Sequence, residues 1–289
     1  MIAVLGVVLL GDAVALRVAR RVDATLHPAR ARTTVPDSLG PLVSVALGTA
    51  DGLTLRGWYV RSRNGAAVVL AHGHGGQRAQ LAAEARALAS RGYGVLMFDA
   101  RAHGASDGDR TTWGVDEQLD VEGALAFLAA QPDVDSMRIG AVGFSMGAMT
   151  IAMVAARDRR LRAVVLEGAF TSVEAMFRHD EDHYGWWSGR AALAALRRRR
   201  VAIDRVRPVD VICGISPRPV LIVNGADDVD TPVATARALY AAACPPKSIW
   251  IIPGATHLRY ASGGAELARR LGEFFDRALP RAHPARTDR

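Results

Sequence analysis

The sequence is poor in cysteine, with only Cys213 and Cys244 among 289 residues. The two form no CxxC pair and no metal-ligand spacing, so the sequence does not indicate a cysteine-based metal site. One disulfide is possible, but nothing in the sequence requires it. We expect buried free thiols, which are compatible with a reducing compartment.

The sequence also lacks internal repeats and any recognised nucleic-acid-binding module, although its formal net charge is +7. Most cations are arginines, and they are scattered apart from the run Arg197 to Arg200. Such a charge can attract nucleic acid or an anionic membrane. Because no module accompanies it, we expect no nucleic-acid partner. The run is interpreted as a solvated helix face, with a patch for anionic lipid as the alternative.

The apolar N-terminal stretch, Met1 to Leu16, is short for a membrane-spanning helix, which needs about 20 apolar residues. It lacks the basic start of a secretory signal, although residues 13–15 resemble a cleavage site. Three interpretations of residues 1–22 stay open: a short membrane anchor, a cleaved signal peptide, or an amphipathic helix packed on the domain. The arginines that follow would keep an anchored domain in the cytoplasm. We therefore expect either membrane association through residues 1–16 with a cytoplasmic domain, or a cytoplasmic protein.

The rest of the chain alternates short apolar runs with helix-length segments. Two alternating runs around Asp51-Gly52 predict a β-hairpin. From Ala66 onward, apolar runs and amphipathic segments predict an α/β fold. Its sheet should be mostly parallel, with helices on both faces and the antiparallel hairpin at one edge.

This pattern divides the chain into four parts. Residues 23–41 contain three prolines and predict a linker after the N-terminal segment 1–22. Residues 42–279 form the predicted α/β domain, and residues 280–289 a frayed tail. Residues 170–218 break the alternation, and we interpret them as a small helical cap over the carboxyl ends of the strands.

Gly143-Phe144-Ser145-Met146-Gly147 matches the pattern G-x-S-x-G at a predicted strand-to-helix junction. A serine at such a turn takes a strained backbone conformation. Larger residues two positions before and after it would clash. The N-terminus of the next helix favours negative charge at this point. We therefore predict Ser145 as a nucleophile rather than as part of an ordinary glycine-rich turn.

A second glycine-rich loop, His72-Gly73-His74-Gly75-Gly76, follows the predicted strand 66–71. In hydrolases with this elbow, one N–H of the oxyanion hole comes from this loop and another from the residue after the nucleophile. The predicted donors are the backbone N–H groups of His74 and Met146. A metal site at His72 and His74 is the alternative, but no recognisable pattern supplies a third ligand. We expect no metal and no organic cofactor.

A serine hydroxyl is a weak nucleophile, so it needs a base and an acid that orients the base. In hydrolases with this elbow, the three residues occur along the chain in the order serine, acid, histidine. His257 comes after the predicted strand 249–252 and before the last helix, so we predict it as the base. His103 and His183 come too early. Three candidates for the acid follow the strand 220–223: Asp227, Asp228 and Asp230.

Together these motifs resemble those of α/β-hydrolases, specifically single-domain bacterial serine esterases of the monoacylglycerol-lipase-like and serine-aminopeptidase-like group. The resemblance covers about Leu42 to Leu279. The acid loop of this group usually reads Gly-x-x-Asp-x-x-x-Pro, which selects Asp228. Residues 99–106 resemble a structural loop of the group, so Asp99 and His103 receive no catalytic role. Ala102 replaces a glycine there, and we expect it to avoid positive φ.

The resemblance implies a serine hydrolase that cleaves a small-molecule carboxylic ester through an acyl-enzyme, with Ser145, His257 and Asp228 as its triad. The same triad could serve a peptidase or amidase. A catalytically silent binding protein on the same scaffold is a further alternative. Substrate choice would lie in the cap, where Trp186 and Trp187 are expected to pack. The sequence leaves the oligomeric state open.

Overall fold

The computed structural model of the chain describes residues 16–30, 33–35, 39–179 and 188–280. The expectations for residues 1–15, for Trp186 and Trp187, and for the tail after Pro280 fall outside these ranges. Among the described helices, none combines the length and the apolar character that crossing a membrane requires. Membrane association through residues 1–16 therefore stays a prediction.

One eight-stranded sheet forms the centre of the domain, in the order β1-β2-β4-β3-β5-β6-β7-β8. Its strands are β1 (Leu42–Gly48), β2 (Thr54–Val60), β3 (Ala67–Ala71), β4 (Gly94–Phe98), β5 (Ile139–Phe144), β6 (Leu161–Glu167), β7 (Val220–Gly225) and β8 (Lys247–Ile252). β2 pairs antiparallel with β1 and β4, and all other neighbours are parallel. The predicted α/β fold with a hairpin at one edge is confirmed.

Helices cover both faces of the sheet, which is why β3, β4 and β5 are buried along their whole length. The helices around the sheet are α2 (Ala82–Ser90), α3 (Glu117–Ala129), α4 (Met146–Ala155), α8 (Val233–Ala242) and α9 (Gly264–Ala278). α2 and α9 enclose a core with Leu88 and Phe275. α3, α4 and α8 enclose the opposite core, with Leu125, Ile151 and Leu239.

The described part of the predicted cap is helical. It contains α5 (Val173–His179), α6 (Ser188–Arg198), the short helix α7 (Pro208–Val211) and two 3-10 turns. Its apolar side chains join Met146 and Met149 of α4, at the carboxyl end of the sheet, in a third core. In the arginine run, Arg197 pairs with Asp204 and Arg199 with Asp23. These ion pairs lie at the surface, as the interpretation of a solvated face expects.

An N-terminal helix, α1, occupies residues 16–26 of the described chain, so residues 23–26 of the predicted linker are helical. Val18, Val22 and Leu26 recur every fourth residue and therefore share one face. All three are buried in the third core, against the cap and Trp113. The described part of the N-terminal segment is thus a helix packed on the domain.

Two local expectations are wrong. Cys213 and Cys244 form a disulfide rather than two free thiols. They precede β7 and β8, and these strands are neighbours, so their entry segments lie side by side. Ala102 has a φ of 60°, although we expected it to avoid positive φ. Its backbone N–H donates to Asp107 O across 2.9 Å, and with Ala102 in that conformation this bond closes the loop of residues 102–107.

Candidate active site

Ser145 lies on a sharp turn between β5 and α4, with φ 52° and ψ −116°. This region of backbone space is strained for a residue with a side chain. A Cβ on Gly143 would lie 2.5 Å from Gly147 O, and a Cβ on Gly147 would lie 2.2 Å from Ala71 O. Both positions therefore require glycine, and the turn projects Ser145 at the carboxyl end of the sheet.

The structure brings Ser145, His257 and Asp228 into one hydrogen-bonded chain. The hydroxyl of Ser145 donates to Nε2 of His257 across 3.1 Å. Nδ1 of His257 donates to Oδ2 of Asp228 across 2.8 Å. The imidazole is 13% exposed and the carboxylate is fully covered. This arrangement can transfer the serine proton to the imidazole and stabilise the resulting charge.

Asp228 receives further hydrogen bonds that the sequence did not reveal. The backbone N–H of Thr231 donates to Oδ1 across 2.7 Å, and the hydroxyl of Thr231 donates to Oδ2. The phenol of Tyr260 donates to Oδ2 across 2.6 Å. Burial alone would raise the pKa of Asp228, but hydrogen bonds from His257 and Thr231 hold it below its ordinary value. The acid therefore stays ionised beside the base.

Thr231 lies in the predicted acid loop, and Tyr260 lies three residues after the predicted base. The only sign of these two donors in the sequence is that each loop contains a side chain with a hydroxyl group. Burial and the negative charge of Asp228 raise the pKa of Tyr260, so its phenol remains a donor.

Of the other two acid candidates, Asp227 and Asp230 are both exposed. Asp230, Asp228 and His257 bring potential metal-ligand atoms within 4.8 Å of one another. Four hydrogen bonds already occupy the oxygens of Asp228. A cation could bind here only by displacing some of them, so the donors present fit a proton-transfer chain better than a metal site.

The glycine-rich loop 72–76 lies directly against the nucleophile. A Cβ on Gly73 would lie 3.1 Å from the Cβ of Ser145. The backbone N–H of Gly73 donates to Gln80 across 2.8 Å, and that of Gly75 donates to Nε2 of His103 across 3.0 Å.

The backbone N–H of His74, between these two glycines, has no acceptor among the described residues, and neither has that of Met146. Both predicted oxyanion donors are therefore free to bind a ligand oxygen.

The histidines near this loop have structural hydrogen bonds. Nδ1 of His72 donates to Gly73 O across 2.7 Å, and its Nε2 accepts from the N–H of Ala100 across 2.9 Å. In the same way, Nδ1 of His103 donates to Arg101 O, and its Nε2 accepts from the N–H of Gly75. Burial lowers the pKa of His72 and of His103 to about 4. Because hydrogen bonds occupy both nitrogens of His72, the alternative of a metal site at His72 and His74 is not favoured.

A pocket of about 310 Å³ opens in front of Ser145 and His257. We call it the front pocket. The cap, the turn after β4 and α1 supply its walls, which are largely apolar. They include Val22, Trp113, Phe170, Met176, Phe177 and Ala192. Its size and lining suit a small or medium apolar group next to the serine.

Comparison with known proteins finds relatives over most of the chain. The sequence profile of the prolyl oligopeptidase family, Peptidase_S9, matches residues 79–281. An uncharacterized protein of Mycobacterium tuberculosis is 33% identical over 216 residues, which cover 74% of this chain and 71% of that protein. The uncharacterized protein YfhR of Escherichia coli K12 is 27% identical, over 74% of this chain and 73% of its own.

Among solved structures, an esterase of Pyrococcus furiosus superposes with a TM-score of 0.76 at 23% identity. The match covers 88% of this chain and 98% of the esterase. This likeness supports the fold, and the match to the family profile over residues 79–281 confirms the predicted membership of the α/β-hydrolase superfamily. The chain belongs to the prolyl oligopeptidase family and is a serine hydrolase of the α/β-hydrolase type.

Proposed function

We propose that the protein hydrolyses carboxylic esters with a small or medium acyl group, using Ser145 as nucleophile, His257 as base and Asp228 as the orienting acid. The observation that carries the proposal is the continuous hydrogen-bonded chain from Ser145 through His257 to Asp228. The apolar front pocket beside it suits an acyl group. The esterase name of the Pyrococcus furiosus structure is consistent with this chemistry.

The reaction proceeds by two acyl transfers. His257 accepts the proton of Ser145 while the hydroxyl oxygen attacks the ester carbonyl carbon. The amides of His74 and Met146 donate to the oxygen that becomes negative. His257 then protonates the leaving alcohol, and a water molecule releases the acyl group from Ser145 by the same steps. The mechanism uses no metal and no organic cofactor.

A peptidase or amidase activity is the second candidate, favoured by the name of the matching family. The same triad could cleave an amide, because only the leaving group differs. The two candidates therefore separate by substrate, not by catalytic residues.

Labelling with a fluorophosphonate probe tests the nucleophile, with Ser145→Ala as the matched control. We expect wild type to label and the variant not to label. Absence of labelling in both would favour a silent binding protein instead. A series of p-nitrophenyl esters and the matching p-nitroanilides then separates the two activities. If the ratio of anilide to ester cleavage were higher than that of an esterase standard, the protein would be assigned as a peptidase or amidase.

A further inference from the structure

Helix α1 forms one wall of the front pocket. Arg21, Val22 and Thr25 line it from this helix, and Phe170 and Phe177 line it from the cap region. Val22 is 1% exposed, so its side chain is enclosed between the pocket and the third core. A residue in this position limits how far an apolar substrate group can extend.

Several contacts hold α1 in place. Leu26 O accepts from the N–H of Thr111 across 2.8 Å. Arg199 of the cap donates to Asp23 across 2.8 Å and to Ala19 O across 3.3 Å. Together with the buried face of the helix, these bonds fix α1 to both the cap and the α/β domain. The helix is therefore a packed wall of the pocket.

The carboxyl end of α1 also contacts the glycine-rich loop. Carbonyl groups in the last turn of a helix lack partners within the helix. Here Nε2 of His74 donates to Thr25 O across 2.6 Å. The ring of His74 stacks on Trp113, with centroids 4.1 Å apart and planes 7° apart. Burial lowers the pKa of His74, which favours the neutral ring. The carbonyl of Thr25 can only accept, so the bond places the ring proton on Nε2.

We propose that α1 is a working part of the active site: Val22 limits the length of the acyl group, and Thr25 positions the oxyanion loop through His74. The backbone N–H of His74 is one of the two proposed oxyanion donors. The hydrogen bond to Thr25 and the stacking on Trp113 anchor the ring of His74, and this orients the N–H toward the nucleophile. The inference rests on the proposed ester hydrolysis and names the element that sets its substrate range.

The length limit is tested with Val22→Ala and Val22→Phe on p-nitrophenyl esters from acetyl to dodecanoyl. We expect Val22→Ala to move the preferred acyl chain to greater length and Val22→Phe to shorter length. The kcat/KM ratio of long to short esters should change by about tenfold in each direction, as expected for a methylene or two in an apolar pocket. Ala24→Phe adds bulk on the exposed face of α1 and should leave the profile unchanged.

If both Val22 variants kept the chain-length profile of wild type and labelled normally with the fluorophosphonate, only the length limit would be overturned. Wild type that neither labels nor cleaves any ester would instead overturn the proposed function. The two failures are therefore distinguishable. Melting temperatures of all variants identify any that have lost the fold, and Val22→Ile provides a milder enlargement if Val22→Phe does not fold.

The positioning role of His74 is tested with His74→Phe, which keeps a ring against Trp113 but cannot donate to Thr25. His74→Gln can donate with its amide. We expect His74→Phe to lower kcat about tenfold with little change in KM, because oxyanion donors act mainly on the transition state. His74→Gln should recover part of this loss. Equal kcat values for the two variants, or a change confined to KM, would contradict the role.

Discussion

The phenol of Tyr260 donates a hydrogen bond to Oδ2 of Asp228 across 2.6 Å, the same oxygen that accepts from Nδ1 of His257. Hydrogen bonds to a carboxylate stabilise its charged form. They also orient it toward the imidazole. Because Tyr260 does not line the front pocket, it acts on the reaction through Asp228. We regard Tyr260 as a positioning residue.

Tyr260→Phe removes this donor and keeps the aromatic ring. We expect kcat to fall about three- to tenfold with KM unchanged, the size expected for one net hydrogen bond. Tyr240→Phe on α8, far from the triad, is the control, and a change in KM alone would contradict the positioning role.

The three neighbouring aspartates can be separated by substitution with asparagine. Asp228→Asn should lower kcat by about 10³- to 10⁴-fold, because the amide no longer holds the imidazole in the reactive tautomer. Asp227→Asn serves as the matched control, since Asp227 is exposed and makes no bond to His257. Asp230→Asn should also keep most of the activity. A large loss for Asp230→Asn with an active Asp228→Asn would reassign the acid.

The sequence could predict the sheet, the elbow and the position of His257 because these depend on local rules. The choice of Asp228 among three neighbouring aspartates came from the family resemblance. Each predicted site residue follows a strand in the chain, and parallel strands end at the same edge of a sheet. Glycines at 143 and 147 and the proline at 232 mark turns by their backbone requirements. Such signals need only a few neighbouring residues.

The features that the sequence did not predict depend on contacts between distant segments. His74 and Thr25 are 49 residues apart, and no local pattern relates a helix end to an imidazole. Cys213 and Cys244 pair because β7 lies beside β8, and strand order is not apparent from either segment alone. Thr231 and Tyr260 join the acid only after both loops have folded over the sheet edge.

The φ of 60° at Ala102 leads to a stability prediction. An L-residue in this region costs about 1–2 kcal/mol, which glycine avoids. The greater freedom of glycine in the unfolded chain offsets part of that gain. We expect Ala102→Gly to raise the free energy of unfolding by about 0.5–1 kcal/mol. This corresponds to about 1–4 °C in melting temperature.

Urea denaturation and thermal melting measure this effect. Ala105→Gly lies in the same loop without positive φ, so it should lower stability slightly. If Ala102→Gly were no more stable than wild type, the turn would not be strained at that position.

Two buried carboxyl groups lie behind the triad. Glu84 on α2 is 2% exposed, and Glu167 at the end of β6 is fully covered. Among the described residues, no donor reaches Oε2 of Glu84 or either oxygen of Glu167. Both residues border a cavity of about 40 Å³, together with Tyr260 and His257. Two such groups cannot both ionise cheaply, because their burial outweighs the attraction that Arg86 exerts on Glu84.

Burial raises the pKa of Glu84 to about 7, and burial together with the charge of Glu84 raises the pKa of Glu167 well above its ordinary value. The folded chain therefore binds more protons than the unfolded chain at pH values between the ordinary carboxyl pKa of 4.5 and about 7. Under linkage, stability is greatest at the acidic end of this window and falls as the pH rises through it.

Glu84→Gln should remove much of this loss of stability, since the amide keeps the shape of the side chain and stays neutral. We expect the variant to match wild type near pH 5 and to exceed it by about 1–3 kcal/mol near pH 8. Urea denaturation at the two pH values measures the difference. Glu273→Gln, at a half-buried site on α9 where the carboxylate pairs with Arg269, is the control and should show no such pH dependence. If Glu84→Gln gave the same stability difference at both pH values, Glu84 would not be protonated in the folded protein.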